Sequence, residues 1–369
     1  MKINKLFGLM MILASAFLFV NCTSDPVPGP PGADGTDGID GVDGTDGVDG
    51  TASCVSCHSN STREPIEAGF AVSLHRIGET WEERGFYFGG TACSKCHSGL
   101  GYPEFIETGE ITPSPDLEVA MSCNSCHSDH DTFDFEKDGP DYALRNTDPT
   151  SLDLAPSISL DFGDSSNNCI TCHQPRNSYD IPALNPDGTY EITSIRFGPH
   201  HSPQATVLEG ILGAEIGGDV DYPAKGSAKH RTASSCVQCH MGESDDPEIG
   251  GHSWTPIESN CITCHGAVPG SSNSYTNDYP ELFALLLQVE GTDSDGNPIT
   301  GILYEEFDED TGERSVYSKS GVWPDVAAMA AWNYKTIYED QSRGIHNPKY
   351  TEALLKNSIQ GVRDLLNED

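Results

Sequence analysis

Apolar residues are concentrated near the two ends of the chain, and polar residues and glycine dominate between them. Residues 6–20 form an apolar run of 15 residues. Near the carboxy terminus, residues 325–338 carry alanine and aromatic side chains at helical spacing, and the aliphatic residues between 354 and 366 recur with a period of about 3.6. We expect two helices there, the second capped by Asn347 and opened by Pro348 in its first turn.

A different pattern occupies residues 271–323. Residues 280–289 are a short helical candidate, and residues 302–307 and 314–317 flank a turn-like segment at 308–312. Two short strands around such a segment predict a small β-hairpin insert. The acidic tip could bind calcium, but its spacing supplies no recognisable ligand cage, so a solvated hairpin tip is the preferred interpretation.

The first residues have the pattern of an export signal. A basic start, residues 1–5, precedes the apolar run, which is shorter than the ~20 residues that a membrane-spanning helix needs. We interpret residues 1–21 as a signal peptide. Cys22 follows at the position of the lipidated cysteine of bacterial lipoproteins, although residues 19–21 depart from the common Leu-Ala-Gly pattern. The alternative is an ordinary secretory signal beside an unrelated cysteine.

Residues 22–52 predict an extended tether. Glycine recurs at every third position from Gly29 to Gly50, and aspartate precedes most of these glycines. Strict period three is typical of a collagen triple helix, in which only glycine fits at the axis. The tether could therefore join chains into an oligomer, or it could be an extended anionic spacer. Both interpretations hold the remaining residues away from a lipid anchor.

Six copies of Cys-x-x-Cys-His give the sequence its chemistry. We number them motif 1 to motif 6, and they occupy residues 54–58, 93–97, 123–127, 169–173, 236–240 and 261–265. Disulfides or zinc ribbons could also use cysteine pairs, but neither needs a histidine after every second cysteine. In c-type haem attachment, two thiols bond one porphyrin and the adjacent imidazole binds its iron. The sequence therefore predicts six covalent haem c groups and an exported protein.

Each motif supplies two attachment thiols and one proximal iron ligand. The thiols belong to Cys54, Cys57, Cys93, Cys96, Cys123, Cys126, Cys169, Cys172, Cys236, Cys239, Cys261 and Cys264. The proximal imidazoles belong to His58, His97, His127, His173, His240 and His265. The motifs are closely spaced, so we expect a six-haem domain over residues 53–270, mainly α with long loops, in which haem forms much of the core. Residues 324–369 would form the carboxy-terminal helices.

The remaining histidines nearly match the number of irons. They are His75, His130, His200, His201, His230, His252 and His346. Because neighbouring residues seldom reach the same iron, His200 and His201 count as one ligand position, which leaves six distal positions. Met121 or Met241 could ligate instead, but Met241 directly follows a proximal histidine and cannot easily reach the opposite face of that haem. We therefore expect histidine on both faces of every iron.

Several segments resemble multihaem c-type cytochromes, particularly the lineage of ammonia-forming nitrite reductase and hydroxylamine oxidoreductase. The resemblance covers residues 53–369 without the insert, and it is carried by residues 198–205, 229–230, 250–252 and 344–350. It implies distal ligation by His201, His230, His252 and His346. The chain departs from the nitrite reductases because it has no Cys-x-x-Cys-Lys motif, and from the eight-haem oxidoreductases because it has six motifs.

Charge limits the partners. The formal net charge is −37, from 57 acidic and 20 basic residues, which disfavours nucleic acid and anionic membrane surfaces. Membrane contact is expected only through the lipid anchor, at the outer membrane or cell surface rather than in the free periplasm. The favoured function is electron transfer between a redox donor and a protein or extracellular acceptor. The alternatives are a multihaem reductase of small nitrogen or sulfur substrates, and a collagen-like structural surface protein.

Overall fold

Short helices and long loops make up the part of the protein that carries the motifs. A computed structural model describes residues 52–77, 91–117, 119–163, 165–176, 178–199, 201–309, 312 and 314–367. Within these ranges up to residue 270 the α-helices are α1 Ala52–His58, α2 Asn60–Val72, α3 Leu74–Ile77, α4 Thr91–His97, α5 Gly101–Thr108, α6 Cys123–Cys126, α7 Phe135–Asp138, α8 Asn167–Ile170, α9 Gln204–Glu209, α10 Lys229–Thr232, α11 Cys236–His240 and α12 Glu258–His265. Single turns of 3-10 helix lie at Pro115–Leu117 and Gly251–Ser253.

The carboxy-terminal third contains the three long helices α13 Asn273–Leu286, α14 Asp325–Asp340 and α15 Pro348–Asn367. The strands are β1 Thr150–Ser151, β2 Ser159–Leu160, β3 Thr189–Ile192, β4 Glu290–Thr292, β5 Pro298–Thr300, β6 Leu303–Phe307, β7 Arg314–Ser318 and β8 Gly321–Pro324. They form a four-stranded sheet in the order β3-β8-β4-β5 and two two-stranded sheets, β1-β2 and β6-β7, all with antiparallel pairing.

The main hydrophobic core lies between the long helices and the strands. Trp332 of α14 and Leu354 of α15 are completely buried, and Trp323 of β8 packs against the same cluster. A smaller cluster surrounds motif 4 and includes Leu152, Phe162 and Ile170. Neither cluster contains a described residue before Leu152. The segments around motifs 1 to 3 therefore fold with little aliphatic core of their own.

The expectation of a helix-rich chain is confirmed, and several of its elements lie where the sequence predicted them. Helix α14 begins at Asp325, and Asn347 caps α15 by accepting a hydrogen bond from the Tyr350 amide, 3.2 Å. Helix α13 begins at Asn273 rather than at residue 280 because Pro280 is accommodated inside the helix. The pairing of β6 with β7 brings Leu303 and Val316 into the main core.

The amino-terminal predictions lie outside the described residues. These are the signal peptide, Cys22 and residues 22–51 of the tether. Everything described belongs to the unit Gly50–Asp369. Within the described ranges, no helix combines the length and apolar character required to cross a bilayer.

Candidate functional site

Each motif begins in a helix or helical turn that positions its two cysteines. Motifs 1, 2, 5 and 6 lie at the ends of α1, α4, α11 and α12, while motifs 3 and 4 begin in the single turns α6 and α8. Residues three apart lie on the same face of a helix, so both thiols of a motif are directed to one side. None of the twelve cysteines in the described ranges forms a disulfide. The thiols therefore have the arrangement that attachment to two groups of one cofactor requires.

Five proximal histidines each face one of the histidines predicted as distal ligands. The pairs and their ring-centroid distances are His58–His130 at 6.0 Å, His173–His75 at 6.1 Å, His127–His252 at 6.2 Å, His265–His230 at 5.9 Å and His240–His346 at 6.4 Å. Metal–imidazole bonds of about 2 Å on both sides of one iron place ring centroids roughly 6 Å apart. The five pairs thus have the spacing that an iron between two imidazoles needs.

Hydrogen bonds at Nδ1 orient several of these rings. His127 donates to the carbonyl of Tyr142, and His240 donates to the carbonyl of Trp254, both at 2.8 Å. His230 donates to the carbonyl of Ile345 at 2.5 Å. A ring that donates through Nδ1 retains an unprotonated Nε2 when it is neutral, which is the form that binds a metal. The backbone therefore fixes the tautomer that ligation requires.

Burial favours the neutral form of four of these imidazoles. It lowers the pKa of His75 to about 4, helped by the neighbouring His173, and it lowers the pKa of His252 to about 4. The pKa values of His173 and His240 are also lowered, chiefly by burial. His346 differs: burial is the largest single effect and lowers its pKa, but the charge and hydrogen bond of Asp340, together with Cys236, outweigh burial, so the net shift is upward.

The remaining predicted ligands are His97 and either His200 or His201. His97 is half-buried at the end of α4. Nδ1 of His201 lies 3.1 Å from Oε2 of Glu339, and His200 lies outside the described residues. The assignment of His201 as a distal ligand therefore stays a prediction.

Trp254 lies where three of the histidine pairs meet. Its indole ring is 4.3 Å from the ring of His75 and 5.4 Å from the ring of His252. Its carbonyl accepts the hydrogen bond from His240 already described. One residue thus contacts histidines of the pairs that include motifs 4, 3 and 5.

Motifs 2, 4 and 5 are in direct contact. Sγ of Cys172 lies 3.8 Å from the carbonyl oxygen of Lys95 inside motif 2. Immediately before motifs 4 and 5, the hydroxyls of Ser166 and Ser235 are hydrogen bonded at 2.7 Å. The cofactors attached to these motifs would be held close to one another.

Motifs 6 and 3 extend this group at its two ends. The Asn260 side chain, next to motif 6, donates to the carbonyl of Gln238 inside motif 5 at 2.5 Å. Ser125 of motif 3 donates to the carbonyl of Gly99, just after motif 2, at 3.1 Å. The contacts therefore form the continuous order motif 3, 2, 4, 5 and 6, which we call the motif row.

The residues that support the ligands were not found from the sequence. Gln204 accepts from His173 at 3.2 Å through Oε1, and Asp340 contacts His346 at 2.7 Å. Gln204 is distant from His173 in sequence, and Asp340 contacts His346 because the chain turns back after α14. The sequence signal for Gln204 was its position within residues 198–205, which carry part of the resemblance, and Asp340 had none.

One segment of the chain matches a known protein family. Residues 78–181 match the family model described as cytochrome c7 and related cytochrome c. The matched segment contains motifs 2, 3 and 4, and this family binds haem c covalently through such motifs.

Two solved multihaem structures are similar to the chain. The outer cell wall cytochrome OcwA aligns with a TM-score of 0.47 and 18% identity, over 80% of this chain and 49% of that protein. The undecahaem cytochrome from the S-layer of Carboxydothermus ferrireducens aligns with a TM-score of 0.46 and 18% identity, over 79% of this chain and 40% of that protein. The chain therefore spans half or less of either structure.

Proposed function

We propose that this protein transfers electrons through six covalent haems, each ligated by two histidines. The match of residues 78–181 to a cytochrome c family supports this proposal. The observation that carries the proposal is the set of five facing histidine pairs, whose ring centroids are 5.9 to 6.4 Å apart. His97 and His201 are assigned to the sixth iron. The departures from the nitrite reductase and hydroxylamine oxidoreductase pattern fit an electron-carrying relative of that lineage.

Ligation by two histidines favours electron transfer over substrate reduction. An iron with an imidazole on each face has no coordination position for a substrate, whereas a reductase must keep one open. An axial methionine raises the reduction potential of a haem, and the proposed ligation uses histidine in its place. We therefore expect low reduction potentials. When bound, each haem supplies a one-electron couple. The protein residues attach it, fix its two ligands and set its surroundings.

The motif row supplies the route. Because motifs 3, 2, 4, 5 and 6 touch through residues within or beside them, electrons could pass between neighbouring cofactors without movement of the chain. Motif 1 joins the row through His130, which pairs with His58 and follows motif 3 closely in sequence. The described residues before Leu152 contribute to neither hydrophobic cluster. This fits a region in which haem, rather than aliphatic side chains, fills the interior.

We place the protein at the cell envelope as a lipoprotein on an anionic tether. The support is the apolar run of residues 6–20, the position of Cys22 and the glycine period that follows it. A lipid on Cys22 would hold the protein on a membrane, and the tether would let the haem domain reach a redox protein or an extracellular acceptor. The high negative charge would favour basic partner surfaces.

The haem count tests the cofactor assignment. Intact mass of the mature holoprotein should exceed that of the lipidated polypeptide by six haems that resist acid–acetone extraction. The double variant Cys261→Ala/Cys264→Ala should carry five, because motif 6 then has no thiol to attach its haem. Cys22→Ser removes a cysteine outside every motif and is the matched control, with six haems expected. Fewer than six on fully matured wild type would contradict the assignment.

Membrane attachment tests the location. Cys22→Ser should move the protein from the membrane fraction to the soluble fraction and leave its haem spectrum unchanged, because Cys22 is the proposed acylation site. Metabolic labelling with a fatty acid is the measurement. A wild type that never incorporates the label would refute the lipoprotein assignment without affecting the haem assignment.

A further inference from the structure

Among the paired histidines, His346 makes the closest contact between Nδ1 and a charged group. His127, His230 and His240 donate to backbone carbonyls, and these contacts are neutral. His346 instead lies 2.7 Å from Oδ1 of Asp340, whose side chain is completely buried. A hydrogen bond to a buried carboxylate is about twice as strong as one to a neutral acceptor.

Two other histidines approach carboxylates, but with weaker geometry. Nδ1 of His130 is 3.5 Å from Asp141, which already accepts hydrogen bonds from the amides of residues 131, 132 and 143. His201 is half-exposed, and its partner Glu339 also pairs with Lys335 at 3.7 Å, which partly neutralises the carboxylate. Among the described histidines, His346 therefore has the shortest contact with a fully buried carboxylate.

The position of Asp340 is unfavourable for helix stability. It is the last residue of α14, where the carbonyl end of the helix dipole repels negative charge. Gln341 then takes a left-handed conformation, φ 55°, and turns the chain so that Ser342 and His346 fold back over the carboxylate. The hydroxyl of Ser342 donates to Oδ2 of Asp340, while Oδ1 faces His346. The turn thus holds a buried negative charge against one proposed iron ligand.

We propose that Asp340 lowers the reduction potential of the haem held between His240 and His346. The inference rests on the proposed function, because it takes His346 as an iron ligand. A carboxylate that accepts a hydrogen bond from the Nδ1–H group makes Nε2 a stronger electron donor to the iron. Stronger donation stabilises the ferric state. No bond breaks in the redox step: the iron gains or loses one electron, exchanged with a neighbouring haem. Asp340 is a positioning residue that acts through His346.

This assignment gives Asp340 a role in the whole electron route. Motif 5 contacts motif 4 on one side and motif 6 on the other, so electrons between those two pass through its haem. A low potential there raises the energy of the intermediate in which this haem is reduced. Asp340 would therefore control the rate of transfer between motif 6 and the rest of the motif row.

Spectroelectrochemical titration of the six-haem protein tests the proposal. Asp340→Asn keeps the shape of the side chain but removes the charge. The Asp340→Asn substitution should raise the midpoint potential of one haem. The ferrous-to-ferric ratio of that haem at a fixed potential should increase at least tenfold, which corresponds to a shift of about 59 mV for one electron. Ser342→Ala removes the hydroxyl that competes for the carboxylate, and it should shift the same potential downward. Asp325→Asn removes a buried carboxylate at the opposite end of α14 and is the matched control, with no shift expected.

The readouts separate this inference from the proposed function. Mass and low-spin spectra establish that each variant holds six haems with two ligands, and they do so independently of the potentials. Six unchanged potentials in Asp340→Asn would overturn the inference and leave the proposed function intact. A high-spin haem in that variant, or shifts of the same sign in Asp340→Asn and Ser342→Ala, would show that the turn only holds His346 in place and would also overturn it.

Discussion

Replacement of His346 by alanine should convert one low-spin haem into a high-spin haem that binds about one carbon monoxide per chain, whereas wild type should bind almost none. His346 lies outside every attachment motif, so the haem itself should be retained through Cys236 and Cys239. Its ring faces that of His240 at 6.4 Å, and removal of the imidazole opens that face of the iron. Absorption and electron paramagnetic resonance spectra of the reduced and oxidised protein measure the change.

Two controls make the result specific. Lys349→Ala changes an exposed residue in the first turn of α15 and should keep every haem low-spin. Added imidazole should occupy the space left by His346 and restore the low-spin spectrum of the variant. A wild type with a substantial high-spin fraction, or with nitrite or hydroxylamine reduction at enzymatic turnover, would contradict electron transfer as the function and favour a reductase.

Trp332→Ala should reduce the free energy of unfolding by about 3 to 5 kcal/mol, the usual cost of removing a large aromatic side chain from a core. Trp332 is fully buried in the middle of α14, its indole donates to the carbonyl of Leu212 at 3.0 Å, and its ring contacts Phe197. The variant loses this packing and leaves the Leu212 carbonyl without its indole donor. Urea denaturation followed by far-ultraviolet circular dichroism measures the change in midpoint.

Leu287→Ala is the matched control for that variant. Leu287 follows α13 and is 42% exposed, so its truncation should change stability by less than about 0.5 kcal/mol. A midpoint for Trp332→Ala as close to wild type as that of Leu287→Ala would show that α14 contributes little to global stability.

Local patterns in the sequence were more informative than features that depend on tertiary structure. Cys-x-x-Cys-His is a local pattern, because both thiols and the proximal imidazole fall within five residues, so motifs such as 236–240 could be read directly. Helices α14 and α15 were also predictable, because their apolar stripes follow the helical period. The capping of α15 by Asn347 depends on neighbouring residues alone, and the hydrogen bond from Tyr350 confirms it.

Features that depend on distant residues were not predictable. Strand β8 pairs with both β3 and β4, and β3 is separated from β4 by residues 193–289, which contain motifs 5 and 6. The counting of histidines gave six distal positions but could not assign His75 to motif 4 or His252 to motif 3, because each pair is formed by tertiary contacts. Asp340 looked like an ordinary acidic residue, since its burial results from the turn after α14.

The contacts of Trp254 also bear on how the protein matures. Under the proposed export from the amino terminus, motifs 3 and 4 would cross the membrane before His252 and Trp254. Under the proposed ligation, the haem of motif 3 would have a single axial histidine until His252 is exported. The haem of motif 5 would have a single axial histidine until α15 brings His346 into place. The haem of motif 5 would therefore pass through a reactive five-coordinate stage that ends only when the last helix docks. Chains truncated before α15 should accumulate in that stage.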